Sequence, residues 1–147
     1  MGFGSRMYPY DEGVAGVTGS PANPRGVGLM KRLLVVDGNE DMHLMLGDRL
    51  EAMGYGVLKA GNGLEALNVL AVVPVVGVLL DLELPAMDGL RLLTELKHRH
   101  MQAPVIVMSA GNDDKTFAKA LELGAIDYLH KPLNVLQLAV KCARFFE

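Results

Sequence analysis

The stretch Leu33-Leu34-Val35-Val36-Asp37-Gly38-Asn39-Glu40-Asp41 decides the fold. A short apolar run ends in a single acid, a glycine follows, and Asn39 stands where a helix N-cap belongs. Glu40 and Asp41 then fall in the first helical turn, where the helix dipole favours negative charge. A strand that runs into a helix through a tight turn is half of a strand–helix–strand unit.

Outward from this stretch the same alternation repeats. Short apolar runs occupy 32–36, 55–59, 75–80, 104–108 and 126–129, and segments with helical spacing separate them. Leu46, Leu50 and Met53 form one stripe, Leu64, Leu67 and Leu70–Ala71 a second, and Leu92/Leu93 with Leu96 a third. Phe117 with Leu121, then Leu136, Val140 and Ala143, continue the series. Gly54 and Gly124 sit where helices stop, and Asn39, Asn112 and Asn134 where they start. Five strands alternating with five helices predict an α/β fold: a parallel sheet with helices on both faces. The runs Val75–Leu80 and Val105–Met108 are apolar on both faces, as central strands must be.

Composition sets the outer limits. The 147 residues suit one domain, and half of them are hydrophobic, enough for a full core. Residues 1–29 differ: they hold seven of the 17 glycines and three of the seven prolines and lack apolar periodicity. They read as a flexible leader, a native tail or a cloning remnant, ahead of a domain spanning 30–147. No apolar stretch approaches the roughly 20 residues that cross a membrane, and no signal-peptide pattern opens the chain. The single cysteine, Cys142, fits a reducing compartment, so a cytoplasmic location is expected. A net charge of −3, with no basic cluster longer than Lys97–His100, argues against direct nucleic-acid binding.

In a parallel sheet every strand ends at one edge, and ligands bind there. The first strand ends in Asp37, the third in Asp81 and the fourth in Ser109, while Lys131-Pro132 follows the fifth. Two acids, a hydroxyl and an amine would share one rim. The carboxylates suit a hard divalent cation, one carboxylate suits a nucleophile, and the hydroxyl and ammonium suit the oxygens of a transferring phosphoryl group. Taken singly each has an ordinary role: Asp37 and Ser109 as caps, Asp81 as a turn residue before Pro85, Lys131 as a solvated cation. Four together at the correct strand ends outweigh those roles.

These segments resemble the receiver domain of bacterial two-component response regulators, over residues 31–147. "LLVVDGNED" is similar to that family's first strand, "NGLEAL" (Asn62–Leu67) to the start of its second helix, and "LLDLELPAMDG" (Leu79–Gly89) to its phosphoacceptor segment. "VIVMSA" (Val105–Ala110) carries the switch hydroxyl, and "GAIDYLHKP" (Gly124–Pro132) the switch aromatic and the Lys-Pro pair. The resemblance implies a doubly wound, flavodoxin-like (βα)5 fold with strand order 2-1-3-4-5. It implies Asp81 as phosphoacceptor, with Asp37, Asp81 and the backbone carbonyl of Glu83 around Mg²⁺. Ser109 and Lys131 would bind the phosphoryl group, Ser109 and Tyr128 would form the switch, and the Lys131–Pro132 bond would be cis. The implied activity is a signalling switch rather than an enzyme. Its partners would be a sensor histidine kinase or phosphotransfer protein, and a downstream effector or output domain. The fourth helix, fifth strand and fifth helix would form the partner face, with Asp113, Lys115, Lys119, Glu122, His130 and Lys141 on it. The fifth helix lacks an Arg-rich pattern, so a monomer or weak dimer is expected.

One position departs from the family pattern. Two adjacent acids normally end the first strand, and the second is here Gly38. Mg²⁺ readily keeps water in place of a lost oxygen. The lost charge matters more: a carboxylate about 4 Å from a charge contributes up to about 4 kcal/mol at an effective dielectric near 20, before hydration is subtracted. Weak Mg²⁺ binding and slow phosphorylation are therefore expected. The competing reading is a degenerate receiver that works as a protein-interaction module without phosphate. A haloacid-dehalogenase-type phosphatase would need a second Asp two residues after the nucleophile, which "DLELP" lacks, and a flavodoxin would need a Ser/Thr/Gly-rich phosphate loop after the first strand.

Overall fold

All five apolar runs become strands of one sheet. The computed structural model describes residues 9–11, 14–15, 30–84, 87–111 and 114–147. Two short strands come first, β1 (Pro9–Asp11) and β2 (Val14–Ala15), paired antiparallel, where the sequence suggested no element. The rest of the suggested leader, and Pro85, Asn112 and Asp113, lie outside the described residues.

From Arg32 the order is β3 (Arg32–Val36), α1 (Glu40–Ala52), β4 (Gly56–Ala60), α2 (Gly63–Val72), β5 (Gly77–Asp81) and α3 (Gly89–His98). It continues with β6 (Val105–Ser109), α4 (Asp114–Glu122), β7 (Asp127–His130) and α5 (Val135–Phe145). The sheet runs β4-β3-β5-β6-β7 with every pairing parallel. Counted from Arg32 this is the order 2-1-3-4-5, the flavodoxin-like doubly wound arrangement. The order reverses between β3 and β5, which places a crevice beyond Asp37 and Asp81.

Strand alternation divides the core in two. Leu34, Val36, Val78 and Leu80 pack with Ala66, Leu67, Leu92, Leu96 and Phe117 of α2, α3 and α4. Leu33, Val35, Leu79 and Ile106 pack on the opposite face with Leu46, Leu50, Leu138 and Cys142 of α1 and α5. Every residue of β5 and β6 is buried, as their unbroken apolar sequence predicts for central strands.

Capping follows the sequence. Asn39 and Asn134 accept hydrogen bonds from the N–H groups of Met42 and Gln137. Asn62, at the head of the NGLEAL segment, and Asp88 cap α2 and α3 in the same way, and of these two starts the sequence left only that at Asp88 unmarked. Gly54 and Gly124 take the left-handed backbone that ends a helix, with φ of 99° and 112°.

Four apolar stripes need correction. On α1, Met53 lies just past the helix and is exposed, and the inward face is His43, Leu46 and Leu50. On α5, Leu136 (73% exposed) and Val140 (51%) face solvent and Ala143 is exposed with them, while Leu138 and Cys142 are buried. On α2, Leu64 is exposed, and the inward face is Gly63, Ala66 and Leu67. On α4, Leu121 faces out and Ala120 in. Each helix carries apolar residues on two faces, and the sheet selects one. For α5 the selection is anchored at the chain's end. Phe146 is buried in the space left by Gly77, where a Cβ would collide with its ring, and Tyr55 donates its hydroxyl to the Phe146 carbonyl at 2.9 Å.

Candidate functional site

Asp37 is the residue just past β3, and Asp81 closes β5 on the neighbouring strand. Both carboxylates are buried, at 1% and 5% exposure, so neither can rely on water for its charge. The Lys131 ammonium stands between them, 2.8 Å from Asp37 Oδ2 and 3.2 Å from Asp81 Oδ2. The other oxygens are also partnered. Asp37 Oδ1 accepts from the Asn39 N–H at 2.8 Å, and Asp81 Oδ1 from the Glu83 N–H at 3.0 Å.

Burial pushes the Asp81 carboxyl above its ordinary value. The Glu83 N–H opposes that rise, Asp37 adds to it by repulsion, and Lys131 opposes it again. For Lys131 burial works downward, but the hydrogen bond it donates to Asp37 and the charges of both acids win, and the ammonium is held above its ordinary value. Lys131 immediately follows β7, whose pairing with β6 continues through the Lys131 N–H to the Ser109 carbonyl at 2.8 Å. The Lys131–Pro132 peptide bond is cis.

Ser109 ends β6 and is buried. Its hydroxyl donates to Glu83 Oε2 at 2.5 Å, and its oxygen accepts from the Gly111 N–H at 3.0 Å. The second Glu83 oxygen accepts from the Ala110 N–H at 3.2 Å. The Glu83 side chain therefore leans toward β6. Tyr128, half-buried on β7, stacks on Phe117 with centroids 4.4 Å apart, and His130 meets both rings edge-on. Lys141 donates to the Tyr128 carbonyl at 3.1 Å and pairs with Asp127 at 2.9 Å.

One residue at this rim escaped the sequence analysis. His43 is buried on the inward face of α1, and its Nε2–H donates to the Asp37 carbonyl at 2.6 Å, steadying the turn at Gly38. Its spacing to Leu46 and Leu50, three and seven residues on, was the available signal. Gly89 opens α3 directly against the Asp81 loop. A Cβ there would lie 2.7 Å from the Leu82 Cα and 2.8 Å from the Asp81 carbonyl oxygen, which explains the glycine in "MDG".

The residues available for a dication are hard oxygens: the carboxylates of Asp37 and Asp81 and the Glu83 carbonyl. They fit Mg²⁺ as an incomplete set. Among the described residues, no three His, Cys, Asp or Glu side chains converge into a metal site. Gly38 is exposed and is not among the described residues with positive φ, so its backbone would accept an L side chain. It borders a cavity of about 300 Å³ that Asp37, His43, Lys59 and Glu65 also line.

A five-stranded parallel sheet with two buried acids, a hydroxyl and a lysine at its C-terminal edge defines a class of phosphoryl-handling signalling domains. The response regulator receiver domain model matches residues 33–142, and the chain belongs to that family, the receivers of two-component signal transduction. It is 34% identical over 109 residues to regulatory protein AtoC of Escherichia coli (strain K12), covering 74% of this chain and 24% of AtoC. It is likewise 34% identical over 104 residues to the alkaline phosphatase synthesis transcriptional regulatory protein PhoP of Bacillus subtilis (strain 168), covering 71% of this chain and 43% of PhoP. The chain thus spans under half the length of these relatives. Among solved structures, the Francisella response regulator 1452 receiver domain is similar at a TM-score of 0.75 and 26% identity, covering 79% of this chain and 96% of that one. A two-component response regulator from Clostridium difficile is similar at a TM-score of 0.75 and 28% identity, covering 79% of this chain and 95% of its own. Among the described residues, no helix is long and apolar enough to cross a membrane.

Proposed function

We propose that this chain is a phosphorylation-dependent switch in which Asp81 is the phosphoacceptor. The observation that carries the reading is Asp81 itself: a buried carboxylate at the end of a central strand, with Lys131 3.2 Å away and the Ser109 hydroxyl at the end of the adjacent strand. In the reaction, an Asp81 oxygen attacks the phosphorus of a phosphohistidine on a sensor kinase or phosphotransfer protein. The O–P bond forms, the P–N bond breaks and the imidazole leaves. Lys131 balances charge on the incoming oxygens, and Ser109 donates a hydrogen bond to one of them. Water later hydrolyses the acyl phosphate, returning the carboxylate and releasing inorganic phosphate. Asp37, Asp81 and the Glu83 carbonyl would hold Mg²⁺, which when bound supplies charge neutralisation between acids and phosphoryl group.

The domain in this reading spans 30–147, with residues 1–29 apart from it, in a cytoplasmic protein. The response moves from Ser109 and Tyr128 to the α4–β7–α5 face, which carries Lys119, Glu122, His130 and Lys141 among mixed charges suited to a transient, specific contact. The partner there is a downstream effector or output domain, and the chain itself is a monomer or weak dimer that does not bind nucleic acid. AtoC and PhoP are regulators by name, and this chain matches only part of each.

A second reading, a receiver that works without phosphate, is favoured by one observation: Gly38 supplies no carboxylate while Lys131 already bridges the two acids present. The test that separates the two is labelling with acetyl phosphate and Mg²⁺ followed by mass-spectrometric mapping. The proposal expects one adduct, on Asp81, absent from Asp81→Asn. An adduct that survives in Asp81→Asn overturns the assignment.

A further inference from the structure

Both oxygens of the Glu83 carboxylate are engaged at the end of β6. One carboxylate oxygen accepts from the Ser109 hydroxyl at 2.5 Å and the other from the Ala110 N–H at 3.2 Å. The geometry is that of an anion in a two-donor cradle: one hydroxyl and one backbone N–H at the end of β6, converging on two oxygens of a single charged group. Because the Ser109 oxygen already accepts from the Gly111 N–H at 3.0 Å, its own proton is directed to Glu83. Ser109 has one proton to give, and a carboxylate holds it.

We propose that the Glu83 carboxylate is an internal competitor for the phosphoryl group, occupying the donors at the end of β6 and holding Ser109 in its resting position. The inference rests on Asp81 as phosphoacceptor and adds a control to it. A phosphoryl group on Asp81 needs the Ser109 hydrogen bond, so Glu83 must give it up. The phosphoryl group also brings negative charge toward a carboxylate two residues along the chain, which favours that release. Phosphorylation then exchanges one anion for another in the same cradle. The freed Glu83 leaves the loop at 109–111 without the tether that links it to the β5–α3 loop. Glu83 is exposed, and this makes the exchange feasible, since its carboxylate regains water when it leaves.

The contact belongs to Glu83 specifically. Its N–H is fixed by Asp81 Oδ1 at 3.0 Å, which brings the first atoms of residue 83 to the rim and lets a side chain of glutamate length span to β6. A shorter side chain at 83 would leave the cradle open, and a neutral one of the same length would hold it less tightly.

The test compares the full chain with Glu83→Ala and Glu83→Gln by two readouts. The first is the Ala110 amide, by its proton shift and hydrogen exchange in the unphosphorylated protein. The second is the rate at which acetyl phosphate labels Asp81. Loss of a charged but exposed hydrogen-bonded anion should change a competing equilibrium by roughly fivefold. Glu83→Ala is therefore expected to label about fivefold faster and to lose protection at Ala110, with Glu83→Gln changing both in the same direction by less. An Ala110 amide indifferent to either substitution shows that the cradle is not occupied and overturns the inference. Equal or slower labelling of Glu83→Ala, with Ala110 altered, overturns the competition while leaving Asp81 as phosphoacceptor. No labelling of Asp81 in any of the three proteins overturns the phosphoacceptor reading and this inference with it.

Discussion

The rim at the C-terminal edge of the sheet satisfies charge in two opposite ways. On the β3 side a cation, Lys131, stands between two buried acids. On the β6 side an acid, Glu83, stands between two donors. The arrangements mirror each other in charge but differ in solvent. Asp37 and Asp81 have almost no water, so their charges depend on Lys131. Glu83 is exposed and can return to water at small cost. Equal numbers of contacts thus carry unequal energies: a buried charge left without its partner costs several kcal/mol, an exposed one close to nothing. The first side is a fixed electrostatic frame and the second a replaceable contact, the division of labour that a switch requires.

The comparison predicts a hierarchy of effects. Lys131→Met leaves two buried carboxylates facing each other, and the expected loss of stability is about 3 kcal/mol. Urea unfolding at neutral pH measures it. A loss under about 1 kcal/mol would mean that the two sides do not differ as described.

A smaller effect of opposite sign is expected at Asp81. Its folded pKa is raised above the ordinary carboxylate value of 3.8. The folded state therefore keeps a proton that the unfolded chain has already released. Stability should fall as pH rises through the window between that ordinary value and the raised one, and the cost is fully present above it. Asp81→Asn removes the charge while keeping the shape. The expected gain at neutral pH is about 0.5–2 kcal/mol, in line with other functional groups held at the expense of stability. Thermal unfolding between pH 4 and pH 8 checks both the gain and the loss of the Asp81 contribution to the slope.

The smallest effect falls on the β6 side. Glu83→Gln should change stability by no more than about 0.5 kcal/mol, since the exposed carboxylate exchanges protein donors for water. A cost comparable to that of Lys131→Met would make Glu83 part of the frame and remove the contrast.

The outline of this rim was legible in the sequence because a parallel sheet brings strand ends together whatever its helices do. Asp37, Asp81, Ser109 and Lys131 were placed by counting to the end of each apolar run. Helix faces were less legible. The α5 sequence Val135–Val140 is apolar on two sides, so a stripe through Leu136 and Val140 fits the helical period as well as one through Leu138 and Cys142. The packing of Leu138 and Cys142 on the sheet, and of Phe146 against Gly77, distinguishes them. Direction of side chains was not legible at all. Nothing in "DLELP" says whether Glu83 leans to the acids or to Ser109, because that is decided by donors 26 and 27 residues away. His43 was hidden for a related reason: a histidine facing inward from α1 acquires its role only when the Asp37 carbonyl arrives beside it.

The central claim is that the site works as a phosphoacceptor one carboxylate short of its family's usual set. The most direct measurement is the labelling of Asp81 by acetyl phosphate as a function of Mg²⁺ concentration, in this chain and in Gly38→Asp. The backbone at Gly38 accepts the substitution, and position 38 borders the cavity that Asp37 also lines. A restored carboxylate that supplies even a third of the roughly 4 kcal/mol available at 4 Å is worth about tenfold in affinity. The account predicts that both proteins label on Asp81, with half-maximal labelling in Gly38→Asp at about tenfold lower Mg²⁺. Labelling of Gly38→Asp alone, with the native chain silent at every Mg²⁺ concentration, would contradict it and leave a receiver that signals without phosphate.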